Sequence, residues 1–270
     1  MSFINTIESA WENKNTLLCV GLDTDLDRIP ISIRKEEYPV FEFNKAIVDS
    51  THDLACAYKP QIAYYSASRS ENELEMTIEY IHKNYPEIPV ILDVKRGDIG
   101  STAGKYVAEA FSRYNADAVT LNPYMGGDTL TPFLKHKEKG IIVLCRTSNP
   151  GAGDIQDLES NGKKIYIIIA EKACREWNYN GNILLVVGAT YPRELSEIRS
   201  IAGDIPFLVP GIGAQGGDVE KAVKSGMNSK GAGMIINSSR AVIYAGDGDD
   251  FAEAARNAAM DLRDEINRYR

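Results

Sequence analysis

Short apolar runs rich in β-branched residues recur along the chain, separated by stretches in which apolar residues return every three or four positions. The runs are 17–23 (LLCVGLD), 55–65 (ACAYKPQIAYY), 90–98 (VILDVKRGD), 118–124 (AVTLNPY), 141–148 (IIVLCRTS), 184–190 (LLVVGAT), 207–214 (FLVPGIGA) and 234–240 (MIINSSR). Between them, segments such as ELEMTIEYIHKNY, TAGKYVAEAFSRY and KKIYIIIAEKACREW follow the helical period. Near-continuous apolar strands suit a parallel sheet covered on both faces. Eight strand–helix units in 270 residues therefore predict an α/β chain folded as one (β/α)8 TIM barrel, a single domain over 1–270. A doubly wound open sheet has the same periodicity, but the count of eight favours closure. No Pro/Gly/Ser-rich linker divides the chain. Segment 149–162 (NPGAGDIQDLESNG) reads as a mobile loop after the fifth strand, either a cover for a site or plain surface.

Active sites of such barrels lie at the C-terminal strand ends, and polar residues collect there. They are Asp23 and Asp25 after strand one, Lys59 and Gln61 on strand two, Asp93, Lys95 and Asp98 at strand three, and Asn122 at four. Arg146, Thr147 and Ser148 follow at five, Gln215 after seven and Arg240 after eight. Strand alternation sets Asp93 and Lys95 on one face, roughly 6–7 Å apart. Lys59, among tyrosines and alanines, is costly to bury unless a carboxylate answers it, and Asp93 on the neighbouring strand is the obvious partner. A Lys59–Asp93–Lys95–Asp98 chain then alternates in sign. The plain structural alternative is a network that only fixes strand register, but charges gathered at a barrel mouth point to chemistry.

The stretch PGIGAQGG places Gly211, Gly213 and Gly216 in a G-x-G-x-x-G pattern. A dinucleotide site fails on context, because the pattern sits on the seventh unit and no acidic residue follows where a ribose would need it. A phosphate site fits better, since loops after strands seven and eight commonly bind phosphate in this fold and Arg240 offers a bidentate fork. A glycine-rich turn beside a surface arginine is the bland alternative. Together the two features suggest a phosphorylated small molecule with its reacting end over strands two and three. Lys95 is then a candidate proton donor, and a carboxylate set beside a substrate carboxylate favours loss of CO2. Isomerases and aldolases of the same fold also use lysines and carboxylates.

A net charge of −8 and a pI near 5.1 argue against nucleic-acid or membrane partners. Cys19, Cys56 and Cys145 lie in apolar runs without a C-x-x-C pattern, as reduced core cysteines do, and no metal site is expected. His52, His82 and His136 stand on helix-like segments without partners and read as solvated. The first residues, MSFINTIESAWENK, lack the basic and then apolar order of a secretory segment, so a cytoplasmic protein is expected.

The segment LDVKRGDIGST resembles the D-x-K-x-x-D signature of the orotidine 5′-monophosphate decarboxylase family. GLDTD, YKPQIAYY, RTSNPG, VPGIGAQGG and NSSR resemble its other site segments, in the same order, from 21 to 240. The likeness is greatest to the longer bacterial branch, which also includes protozoan enzymes. The resemblance implies a cofactor-free homodimer of TIM barrels acting on a nucleotide in the last step of UMP synthesis. It implies that Asp23 and Lys59 contact the ribose, that Asp93 crowds the orotate carboxylate and that Lys95 protonates C6. Asp98 and Thr102 would reach the other subunit's site. Thr147 and Ser148 would face the pyrimidine edge, and Gln61 would be a further substrate contact. Gln215, Arg240 and the Gly213 region would hold the phosphate, with Pro210 opening that loop. Two rivals differ in chemistry: Mg²⁺-dependent sugar-phosphate decarboxylases or hexulose-phosphate synthases of the same superfamily, and a non-catalytic phosphate-ligand binder.

Overall fold

The computed structural model describes residues 1–212 and 217–270. Its eight parallel strands are β1 (Leu18–Leu22), β2 (Ala57–Pro60), β3 (Ile91–Arg96), β4 (Ala118–Leu121), β5 (Gly140–Arg146), β6 (Ile183–Val187), β7 (Phe207–Val209) and β8 (Met234–Ser238). Hydrogen bonding runs in the order β2-β1-β8-β7-β6-β5-β4-β3. The ring closes between β2 and β3 through the single bridges Tyr58–Val90 and Gln61–Asp93, and the Tyr58 N–H donates to the Pro89 carbonyl at 3.1 Å. A helix follows every strand, so this is the expected (β/α)8 barrel. The strands are apolar on both faces because one face fills the barrel and the other packs on the helices. All residues of β1, β2, β4, β6, β7 and β8 are buried, whereas β3 emerges only at Lys95 and Arg96.

The end of the barrel away from the polar strand termini is closed by the helix Phe3–Asn13. Ser2 caps it, accepting the Asn5 N–H, and its buried residues Phe3, Ile7, Ala10 and Trp11 recur at helical spacing. The Phe3 N–H donates to the Glu138 carbonyl at 2.8 Å, which seats the Phe3 ring over Gly140. On the other flank the long helix Phe251–Asn267 buries Phe251, Ala255, Ala259 and Ile266, and Phe251 stacks on Phe43 with ring centres 5.0 Å apart.

Three local expectations change. The second strand stops at Pro60: Gln61 accepts the Ala63 N–H through Oε1 and starts the helix Ile62–Ser68, so the tyrosines after it serve a helix. Segment 149–162 is structured, with turns at Pro150–Ala152 and Gly153–Gln156 and the first strand of a hairpin pairing Glu159–Ser160 with Lys163–Lys164. His82 is held by Asp117, Nε2 to Oδ2 at 2.9 Å, rather than left to solvent. Cys19, Cys56 and Cys145 are free and buried as expected, and burial pushes the Cys56 thiol up to about 12.

A Cβ at Gly140 would collide with the Phe3 ring and stand 2.8 Å from the Ala118 Cβ. Gly140→Ala is therefore expected to destabilise the fold by about 2 kcal/mol, the usual penalty of overpacking. The measurement is urea unfolding, where the midpoint should fall at unchanged slope. An unmoved midpoint would contradict the packing described.

Candidate active site

The carboxylate of Asp93 sits at the β2–β3 seam between two ammonium groups. Lys59 Nζ donates to Oδ2 at 3.0 Å and Lys95 Nζ to Oδ1 at 2.7 Å. Asp23, at the end of β1, brings Oδ1 to 3.8 Å from Lys59 Nζ. Lys59 and Asp93 are buried, at 4% and 7% exposure, while about half of the Lys95 side chain is open. Strand positions explain the grouping, since Gly21 and Lys59 are partners across β1–β2 and Gln61 bridges Asp93 across the seam.

Regular alternation does not place Lys95. Its φ is +48°, in the left-handed region, and the β3–β4 register slips so that Leu92 faces Val119 while Arg96 faces Leu121. The strand bulges at its end, and the lysine folds back onto Asp93. Such a conformation costs a non-glycine residue on the order of 1–2 kcal/mol, which the surroundings must offset. Thr120 of β4, not singled out in the sequence, donates its hydroxyl to Asp93 Oδ1 at 2.8 Å.

Asp98 does not extend this network within the chain. Its Oδ1 accepts the Ile99 N–H at 2.8 Å, and it makes no ion pair among the described residues. The β3 bulge carries the chain outward before Asp98, so the fourth charge beside Lys59 and Asp93 is Asp23. Thr102 is exposed on the helix Gly100–Val107 and does not line the cavity described next.

A cavity of about 380 Å³ opens above the network. Asp23, Lys59, Gln61, Asp93, Lys95 and Thr120 line one part of it. Thr147, Ser148, Pro210 and Arg240, all anticipated, line the rest together with Gly211, Asn237 and Ser239. Gly213 and Gln215 lie outside the described residues. The helix after β7, Val219–Gly226, is capped by Asp218, whose carboxylate takes the Lys221 N–H at 2.9 Å. That helix start is therefore already occupied by an anionic group.

Gly21 is required beside the cavity, because a Cβ there would overlap Ser239 Oγ and approach Asn237 Oδ1 at 3.1 Å. Asn237, 8% exposed, donates to Ser239 Oγ and leaves Oδ1 without a partner among the described residues. On the β5 side, Gln156 accepts the Thr147 N–H at 2.9 Å and donates to Thr147 Oγ1 at 2.8 Å, and the Thr147 hydroxyl donates a hydrogen bond to Asn149 Oδ1 at 2.7 Å. Thr147 is thus engaged within its loop, and the Ser148 hydroxyl beside it makes no hydrogen bond among the described residues. The buried Arg146 anchors this loop through Gln156 and Asp157, each at 3.2 Å.

Burial alone would raise the Asp93 carboxyl, but Lys59, Lys95 and the donated hydrogen bonds outweigh it and hold the group well below the usual carboxylate range. Burial likewise works to lower Lys59, and Asp93 with Asp23 more than offsets this, keeping its ammonium above the ordinary lysine value. Both groups are charged throughout the neutral range. Among the described residues no three His, Cys, Asp or Glu side chains are grouped to hold a metal ion.

The sequence model of the orotidine 5′-phosphate decarboxylase / HUMPS family matches residues 16–256. The chain belongs to this family. It is 59% identical to the orotidine 5′-phosphate decarboxylase of Cellvibrio japonicus, covering 99% of this chain and 98% of the relative. It is 56% identical to that of Ralstonia nicotianae over the full length of both. Among solved structures, the Leishmania donovani OMP decarboxylase superposes with a TM-score of 0.85 at 38% identity, covering 100% of this chain and 98% of that one. The Leishmania donovani UMP synthase does so with a TM-score of 0.89 at 40% identity, and this chain spans 56% of its length. A protozoan member of the OMP decarboxylase family thus shares the chain's fold throughout, and bacterial members match its sequence from end to end, in keeping with the branch expected.

Asp93→Asn removes the main counter-charge of a buried ammonium, and the expected loss is about 3 kcal/mol at pH 7. Because the Asp93 pKa is depressed by folding, its contribution is complete above about pH 4 and is lost as the pH falls toward the folded value. The raised Lys59 pKa keeps its share complete below about pH 10. Denaturant unfolding of both proteins should show a gap that is constant at neutral pH and narrows below about pH 4. A gap that widens in acid would contradict this assignment.

Proposed function

We propose that the chain decarboxylates orotidine 5′-monophosphate (OMP) to UMP and CO2, with Lys95 supplying the proton to C6. The observation that carries this reading is the Lys59–Asp93–Lys95 arrangement at the base of a cavity that also takes in Arg240, with bond lengths of 3.0 and 2.7 Å around one buried carboxylate. Arg240 and the loop opened by Pro210 receive the phosphate, Asp23 and Lys59 the ribose, and Ser148 the pyrimidine edge, with Thr147 holding that loop and Gln61 beside the reacting end. The substrate carboxylate then lies against the ionised Asp93. The bond from C6 to the carboxylate breaks, its electron pair stays on C6, and CO2 leaves, relieving the repulsion. The cationic Lys95 stabilises the developing carbanion and transfers a proton to it, and the resulting amine recovers a proton from solvent through its open side. No cofactor enters these steps. An acceleration near the upper end of the enzymatic range, about 23 kcal/mol, requires phosphate binding to help organise the site.

The same proposal includes a homodimer with shared sites, in which Gly213 and Gln215 complete the phosphate loop and Asp98 and Thr102 face the neighbour's substrate. Supporting it, Asp98 and Thr102 do not line their own cavity, Thr102 is exposed, and Ile99, next to Asp98 in sequence, is an exposed apolar residue. A cytoplasmic location fits the free buried cysteines. Among the described residues no helix is long and apolar enough to cross a membrane, and the net charge of −8 disfavours nucleic-acid partners.

Purified protein in EDTA should consume OMP, followed by its absorbance, and Lys95→Ala should lower the rate by about 10⁴-fold or more. No turnover by folded wild type, or turnover that needs added Mg²⁺, would overturn the reading. Mixing Asp98→Asn with Lys95→Ala chains tests the shared site. The mixture should regain up to roughly a quarter of wild-type activity, because one of the two sites of a mixed dimer is intact and only about half of the dimers are mixed. Mixtures as inactive as the parent variants would refute sharing.

A further inference from the structure

The bulge that turns Lys95 onto Asp93 is held by one side chain. Between the pairs Leu92–Val119 and Arg96–Leu121, four steps of β3 run against two of β4, so the N–H groups of Val94 and Lys95 have no regular strand partner. Both donate to Thr120 Oγ1, each at 3.0 Å. The same hydroxyl donates its proton to Asp93 Oδ1 at 2.8 Å, the oxygen that Lys95 Nζ reaches at 2.7 Å. Two bonds accepted and one given use the whole capacity of a hydroxyl, and Thr120 is 1% exposed, so no water replaces it freely.

We infer that Thr120 is a positioning residue for the reaction: its hydroxyl fixes the left-handed backbone at Lys95 and the rotamer of Asp93, and so sets where the proton donor stands. This rests on the decarboxylase reading above and deepens it. Thr120 also borders the cavity, but its single hydroxyl hydrogen is committed to Asp93 and both its acceptor positions are filled from the backbone. Its effect therefore passes through Lys95 and Asp93. Without the hydroxyl, the Val94 and Lys95 N–H groups lose their acceptor and Asp93 loses a donor, while none of the bonds of Thr120 reaches the Arg240 end of the cavity.

The test compares Thr120→Val, nearly isosteric but without the hydroxyl, with Thr120→Ser, which keeps it. Thr120→Val should lower kcat about 100-fold with KM for OMP and UMP binding changed less than about threefold, the mark of an interaction needed for the reacting geometry. Thr120→Ser should return kcat to within about fivefold of wild type. A kcat for Thr120→Val within threefold of wild type, or a loss that falls on KM instead, overturns the inference. Thr120→Ser decides the matter even where Thr120→Val fails to fold, since a serine variant slowed by more than about 30-fold would mean that the methyl packing, not the hydroxyl, matters. Wild type inert toward OMP would overturn the decarboxylase reading and this inference with it, whereas an active wild type with an unaffected valine variant overturns the inference alone.

Discussion

The Lys59–Asp93 ion pair spans the thinnest join in the barrel. Every other neighbouring pair of strands has at least two consecutive backbone partners, whereas β2 and β3 meet through two isolated bridges, one of which is at Asp93 itself. A charge pair at 3.0 Å with Lys59 almost fully buried therefore does structural duty there. Ion pairs of this kind are poor net stabilisers compared with apolar contacts, yet removing one partner leaves a stranded charge. The seam is thus tolerable only while both charges remain, and both are held ionised across the neutral range.

The same constraint shapes the site. The apolar strands build a rigid ring whose polar ends converge, and the cost of burying charge at its mouth is met by pairing rather than by solvent. Lys95 completes the arrangement by abandoning strand geometry at φ +48°. The local strain, the bulge and the short contact to Asp93 go together: a regular strand would send the lysine past its partner. Rigidity on one side is matched by a structured loop on the other, where the buried Arg146 and Gln156 hold Thr147 and leave Ser148 free toward the cavity.

Much of this is legible in the sequence. All eight strands appear as apolar runs, and Lys59 opposite Asp93 follows from the cost of an unanswered buried cation. Other features have no sequence signal. Lys95 carries no mark of a positive φ, which is ordinarily flagged by glycine or asparagine. Thr120 looks like any β-forming threonine in a strand, since its role depends on a register slip that periodicity cannot reveal. The tyrosines after Gln61 read as strand by propensity, but packing on the barrel makes them helical. Asp98 matched the alternating charges along β3 and still falls outside, because a bulge shifts everything beyond it; Asp23, distant in sequence, takes its place.

The most direct measurement of the central claim is a crystal structure with UMP bound, read for which end of the nucleotide lies over the charged seam. The account predicts C6 within about 3.5 Å of Lys95 Nζ and the phosphate at Arg240, with a neighbouring subunit's Asp98 close by. A nucleotide bound in the opposite sense, phosphate over Lys59 and Lys95 and pyrimidine at Arg240, would contradict it.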